Sequence, residues 1–295
     1  MIMNYLEKYS FLPNQAEIDS ALALIAQNGH EADAQVLETC FSAMDLTTLK
    51  SDDTASSVAA LVDKVNAFEK DYPQYPLPAS ICVYSNFAAL VSSRRNNPAL
   101  HTTVVSACFP TSQSFLQVKL LECRMAVEAG ADEVDIVLAL NAFLNGDYEA
   151  ASEEIRSIRR CVDEAAPGRK VILKVILETG LLVSAERIAQ ASFLAMEAGA
   201  DFIKTSTGKV NVNATPAAAY VMCQCIRRYT EATGRMVGFK PAGGMSTAED
   251  AVVYYNIVKA VLGEKWLCRE YFRLGVSRMA NNLLSAMEKR QLAVF

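Results

Sequence analysis

Glu128-Ala-Gly-Ala-Asp132 leads into Glu-Val-Asp-Ile-Val-Leu138, and 69 residues later Glu197-Ala-Gly-Ala-Asp201 leads into Phe-Ile-Lys-Thr-Ser206. Each copy closes an amphipathic segment with a glycine suited to a helix C-terminus. It then enters an apolar run that suits a strand. The offset spans two such units, which sets the phase of the chain as helix, glycine, strand. Working outward, strands are predicted at 39–46, 80–84, 102–108, 133–138, 171–177, 201–206, 236–240 and 271–275. Helices are predicted at about 54–69, 86–95, 114–129, 149–165, 184–198, 216–232, 247–262 and 277–290. Asp53-Thr54, Thr215-Pro216 and Ser246-Thr247-Ala248-Glu249 carry helix-start signals. Eight strand–helix units imply parallel strands covered on both faces. Over about 250 residues they fit a (β/α)8 TIM barrel of the α/β class. An open doubly wound sheet competes, but no G-x-G-x-x-G follows the first strand. Residues 1–35, with a helical pattern at about 15–28, are expected as an N-terminal helical extension, and 36–295 as a single barrel domain.

The 295 residues are 52% hydrophobic, with 28 basic and 33 acidic side chains and a net charge of −5. That balance supports a large core, argues against disorder and offers no basic surface for nucleic acid. Eight scattered cysteines with no C-x-x-C pair read as reduced core thiols. No segment reaches the roughly 18 apolar residues of a membrane span, and the charged N-terminus does not read as a secretion signal. A cytoplasmic protein with no membrane partner is the expectation. Two histidines, His30 and His101, are too few for a histidine-built zinc site.

Charge inside barrel strands is costly unless it is partnered. The predicted strands nevertheless carry Asp135, Lys174, Lys204 and Lys240. A structural ion-pair network is one reading of this set. Amine catalysis is the other: a lysine desolvated or set beside another cation becomes a nucleophile near neutral pH. Its iminium with an aldehyde or ketone is an electron sink that needs no metal, and Asp135 is placed to move protons. Asp135 and Lys204 each stand four residues beyond the repeated Gly-Ala pair, so two strands in the same phase would present an acid and an amine at similar height. Thr205-Ser-Thr-Gly-Lys209, Pro241-Ala-Gly-Gly244 and Gly275-Val-Ser277 follow the last three strands. Loops of this kind at the C-terminal ends of barrel strands suit a phosphate.

These motifs resemble the deoxyribose-phosphate aldolases, class I enzymes on a (β/α)8 barrel. The resemblance runs over about 40–290 through Met44-Asp-Leu-Thr47, the Cys82 strand, Ala131-Asp-Glu-Val-Asp135, Leu173-Lys-Val-Ile-Leu-Glu-Thr-Gly180, Gly199-Ala-Asp-Phe-Ile-Lys-Thr-Ser-Thr-Gly-Lys209, Val212-Asn-Ala-Thr-Pro216, Val237-Gly-Phe-Lys-Pro-Ala-Gly-Gly244 and Thr247-Ala-Glu-Asp250. It implies reversible cleavage of 2-deoxy-D-ribose 5-phosphate to glyceraldehyde 3-phosphate and acetaldehyde, without cofactor or metal. It also implies Lys204 as the Schiff-base lysine, Lys240 as the second lysine that lowers its pKa, and Asp135 as the acid/base working through water. Lys174, Asp45 and Cys82 would support them, and Gly208, Lys209, Gly243, Gly244 and Ser277 would hold the phosphate. Family habit points to a homodimer. The chain departs from the pattern at Arg278, which follows Ser277, and at Phe295, where some members end in a tyrosine that reaches the active site. A different sugar-phosphate substrate for the same Schiff-base chemistry, as in a transaldolase-like enzyme, and a non-catalytic scaffold are the alternatives. A scaffold has no need to bury these charges.

Overall fold

The computed structural model describes residues 5–295; the first four residues of the expected extension lie outside them. Three helices come first: α1 (Tyr5–Lys8), α2 (Gln15–Asn28) and α3 (Ala34–Ser42). The alternation then runs β1 (Met44–Thr47), α4 (Ala55–Asp71), β2 (Ser80–Tyr84), α5 (Ala88–Arg94), β3 (His101–Val105), α6 (Leu116–Glu128) and β4 (Glu133–Val137). The short α7 (Leu140–Leu144) precedes α8 (Tyr148–Glu164), and β5 (Ile172–Ile176) follows. Next come the short α9 (Thr179–Leu182), α10 (Ala185–Glu197), β6 (Phe202–Lys204), α11 (Pro216–Thr233), β7 (Gly238–Lys240), α12 (Ala248–Leu262), β8 (Leu274–Val276) and α13 (Met279–Glu288). All strand pairs are parallel, in the order β7-β6-β5-β4-β3-β2-β1-β8. Bridges between Phe239 and Phe272 and between Ala242 and Gly275 close the circle, and the result is a (β/α)8 barrel.

The repeat does the same structural work twice. Ala131 N–H donates to the Ala126 carbonyl and Ala200 N–H to the Ala195 carbonyl, both at 3.0 Å, each closing its helix beside a glycine of positive φ. The aspartate that follows accepts from the neighbouring strand: Asp132 from Thr102 N–H at 2.8 Å, Asp201 from Leu173 N–H at 3.0 Å. Arg95 and Arg159 pair with these aspartates in turn. Each copy thus fixes the height at which its strand enters the barrel.

Helix starts are chemically marked. Thr54 with Ser57, and Thr247 with Asp250, form reciprocal capping boxes, and Thr215 caps α11 with Pro216 at its first turn. One expectation is corrected. Residues 39–42 belong to α3, and the first strand begins only at Met44. Asp33 caps that helix, and Val36, Leu37, Cys40 and Phe41 are buried at helical spacing, which outweighs the strand-like look of Thr-Cys-Phe. Helix α2 packs on α11 and α12, and α1 on α10, where the Tyr9 ring that follows stacks on Phe193 at 4.3 Å.

Candidate active site

Strand alternation and parallel register bring the in-strand charges together. Asp135 stands opposite Lys174 in the register of β4 and β5, and Lys204 opposite Lys240 in that of β6 and β7. All are buried; only Lys204 keeps any opening, at 4% exposure. Lys204 Nζ and Lys240 Nζ each donate to Asp135 Oδ2 at 2.8 Å. Two amines sharing one oxygen stand within two hydrogen-bond lengths of each other. Lys174 Nζ takes the other oxygen, Oδ1, at 2.8 Å. Lys240 also pairs with Asp45, and Lys174 with Glu133.

Two charged members of this network, Glu133 and Arg273, are absent from the residues singled out in the sequence. Glu133 lies two residues before Asp135 on the same strand face, and Arg273 directly precedes β8. Arg273 donates to Asp45 Oδ1 at 2.6 Å and to both oxygens of Glu133 at 3.0 and 2.7 Å. Ser80 donates to Asp45 at 2.8 Å, and His101 Nδ1 lies 2.6 Å from Glu133 Oε1 at the start of β3. Beside the network, Glu178 follows β5 with a left-handed φ of 55° and is buried, also absent from the residues singled out in the sequence. Its carboxylate accepts from Thr207 N–H at 3.1 Å and Thr207 Oγ1 at 2.5 Å. It thereby sets the turn that carries Gly208 and Lys209.

Counting charge, Asp45, Glu133 and Asp135 face Lys174, Lys204, Lys240 and Arg273. One cation is in excess, so one base is best left neutral. Burial depresses the Lys204 pKa against the pull of Asp135, and Lys240 adds to the depression, so this amine sits below its ordinary value. Burial acts on Lys240 too, but Asp135 and Asp45 overcome it and hold that amine above its usual range. Lys174 is also raised, burial being outweighed by Asp135, Glu133 and Asp45. Burial opposes ionisation of Asp135, yet the three lysines keep its carboxyl well below the usual range. Asp45 is held down to about 2 in the same way, burial being offset by Lys240, Lys174 and Arg273. The excess proton is therefore the one on Lys204.

Cys82 is buried in β2, packed with Leu49 and Val105, and burial pushes its thiol up. The loops expected to take phosphate are sewn together: Thr205 Oγ1 accepts from Ala242 N–H at 2.9 Å, and Gly275 N–H donates to the Pro241 carbonyl at 2.9 Å. Gly243 and Gly244 both take φ of 78°, and Gly208 and Ser277 are exposed. Lys209 reaches across to the Leu49 carbonyl at 2.6 Å, bridging the loops after β6 and β1. At Gly275 a Cβ would lie 2.7 Å from that of Ala242 and 3.1 Å from Lys240 Cε, so glycine there lets β8 approach the second amine. Phe295 packs on Phe41 and Phe68 in the helical layer, ring centroids 6.2 and 5.3 Å apart, and Asn281 clamps its backbone.

A family model described as DeoC/LacD family aldolase matches residues 39–261. The deoxyribose-phosphate aldolase of Homo sapiens is 40% identical over 264 residues, covering 84% of this chain and 78% of that protein. That of Mus musculus is 39% identical over 258 residues, with 84% and 78% covered. The solved deoxyribose phosphate aldolase of Aeropyrum pernix superposes with a TM-score of 0.67 at 23% identity, covering 92% of this chain and 98% of that one, a likeness of fold. The match to the family model spans most of the barrel that holds these charges, and the chain belongs to the DeoC/LacD family of aldolases.

Proposed function

We propose that this chain is a class I aldolase that reversibly cleaves 2-deoxy-D-ribose 5-phosphate to D-glyceraldehyde 3-phosphate and acetaldehyde. The observation that carries this reading is a pair of buried amines sharing one carboxylate oxygen with opposite proton affinities. Neutral Lys204 attacks C1 of the open-chain sugar, and loss of water leaves an iminium. The proton of the C3 hydroxyl passes through a water to Asp135, C2–C3 breaks, and its electrons flow into the iminium to give an enamine. Glyceraldehyde 3-phosphate leaves. Protonation of the enamine at C2 and hydrolysis release acetaldehyde and restore Lys204. Asp135 holds that proton transiently and returns it through the water, and its carboxylate also orients both amines. Lys240 stays an ammonium whose charge depresses Lys204. Gly208, Lys209, Gly243, Gly244 and Ser277 take the phosphate, the glycine backbones supplying N–H donors.

Turnover of deoxyribose 5-phosphate, measured beside fructose phosphates, tests the substrate. Activity confined to the deoxy sugar is expected; preference for the ketose phosphates would assign the Schiff base to a different aldolase reaction. The amine pairing has its own test. In Lys240→Met the neighbouring cation is gone, so the Lys204 pKa rises. The acid limb of the kcat profile then moves to higher pH by on the order of one unit or more, and turnover at neutral pH falls. An unmoved limb would show that Lys240 does not tune Lys204.

A further inference from the structure

On the outside of the barrel, between the start of α2 and the outer face of α11, lies a cavity of about 220 Å³. Phe11, Asn14, Glu17, Gln224, Arg227 and Arg228 are among its walls. Arginines in this chain commonly find a carboxylate, as Arg94, Arg95, Arg159 and Arg273 do. Arg227 and Arg228 are half-buried, yet neither has a carboxylate oxygen within 4.0 Å among the described residues. Arg227 gives one hydrogen bond, from Nη2 to Gln224 Oε1 at 2.6 Å. Arg228 rests its guanidinium over the Phe11 ring at 4.8 Å and donates to no described protein group. The Nε of each is buried with no partner among the described residues. Unmet buried donors are rare enough to need a reason.

The surroundings favour negative charge. Helix α2, 14 residues long, presents its N-terminus here, capped by Asn14, whose Oδ1 accepts from Glu17 N–H at 3.2 Å. That end of a helix carries partial positive charge. Glu17 is the one acidic wall; it is exposed and pairs with neither arginine. Adjacent guanidinium forks match the oxygens of a phosphate. The volume equals that of a handful of waters at about 30 Å³ each, and it falls below the roughly 300 Å³ at which pockets for larger ligands begin.

We infer that this cavity binds a small phosphate-bearing anion, either inorganic phosphate or a short phosphate monoester, through Arg227 and Arg228 and apart from the catalytic centre. The site is independent of the aldolase chemistry, so neither reading depends on the other. Calorimetric titration of the full chain at fixed ionic strength, with inorganic phosphate and then glycerol 3-phosphate, tests it. The wild type is expected to show a phosphate-binding event that depends on these two arginines, whatever binds at the catalytic loops. An Arg227→Gln/Arg228→Gln variant should lose that event, its affinity falling at least tenfold, while kcat and KM for the aldolase substrate stay unchanged. The stronger titrant identifies which of the two sources fits. If the double variant does not fold, Arg228→Lys, which keeps the charge and removes the fork, is expected to weaken the same event. Binding unaltered in the variants, or acetate binding as tightly as phosphate, would overturn the assignment.

Discussion

Lys204→Leu is expected to abolish turnover while leaving the fold intact. Loss of a covalent nucleophile commonly costs roughly 10⁴-fold or more in rate, and no neighbouring group can replace this one. Lys174 and Lys240 are both held as ammonium ions by carboxylates, so neither offers a free electron pair. The charge count explains why the variant should fold. With Lys204 gone, Asp45, Glu133 and Asp135 face Lys174, Lys240 and Arg273, three against three, so no buried ion is left uncompensated. A melting temperature close to that of the wild type is the expected companion result. Borohydride with acetaldehyde makes the covalent claim direct. The imine on Lys204 takes up hydride and becomes a stable ethyl-lysine, which peptide mass spectrometry locates. An adduct on Lys174 or Lys240, or none at all, would remove Lys204 from its role. A metal chelator should leave wild-type turnover unchanged, because the iminium supplies the electron sink.

The barrel was legible because each of its levels left a separate trace in the sequence. The glycine after α6 and the glycine after α10 mark two helix ends, and the aspartate two residues later in each copy ties its strand to the preceding one. The in-strand lysines were legible for a thermodynamic reason: a strand covered on both faces admits charge only where a partner waits. The same reasoning, carried through, reaches Glu133 and Arg273. Glu133 shares a face with Asp135 by the two-residue period of a strand, and Arg273 interrupts Phe272 and Leu274 as Lys240 interrupts its own apolar run. Glu178 leaves no such trace. It sits past the end of β5, and only the fold reveals that its left-handed backbone turns the carboxylate under Thr207. The short helices α1, α7 and α9, of four or five residues, are below the length at which periodicity can register. Residues 39–42 look like a strand because a β-branched and aromatic run satisfies both periods when taken alone, and the Asp33 cap that decides between them lies outside it.

Arg273→Met should be among the most destabilising single substitutions in the molecule. The residue is 1% exposed, and its guanidinium joins Asp45 to Glu133. Methionine fills similar space without charge, so the loss is electrostatic rather than a cavity. Asp45 and Glu133 would remain buried without the guanidinium that joins them, and the three lysines alone would be left to neutralise three carboxylates. Breaking a buried ion pair in this way costs roughly 3–5 kcal/mol, which for a chain of this size lowers the melting temperature by on the order of 10 °C. The pH dependence has a definite sign. Both carboxyls have folded-state pKa values below their unfolded ones, burial being overcome by Arg273 and Lys174 at Glu133 and by Lys240, Lys174 and Arg273 at Asp45. Their contribution to stability is present above the unfolded values near 4 and lost as pH falls through the folded ones. Removing Arg273 raises those folded values and so reduces the contribution throughout the range above about pH 4. The stability gap between wild type and variant is therefore full above about pH 4 and narrows as the pH falls below it, where the carboxyls take protons in both proteins. Adding Glu133→Gln to the variant should recover part of the loss, because it removes one of the stranded charges. Equal melting curves for wild type and Arg273→Met at pH 7 would mean that the lysines alone balance the carboxylates. The excess-cation argument that singles out Lys204 would then fail with it.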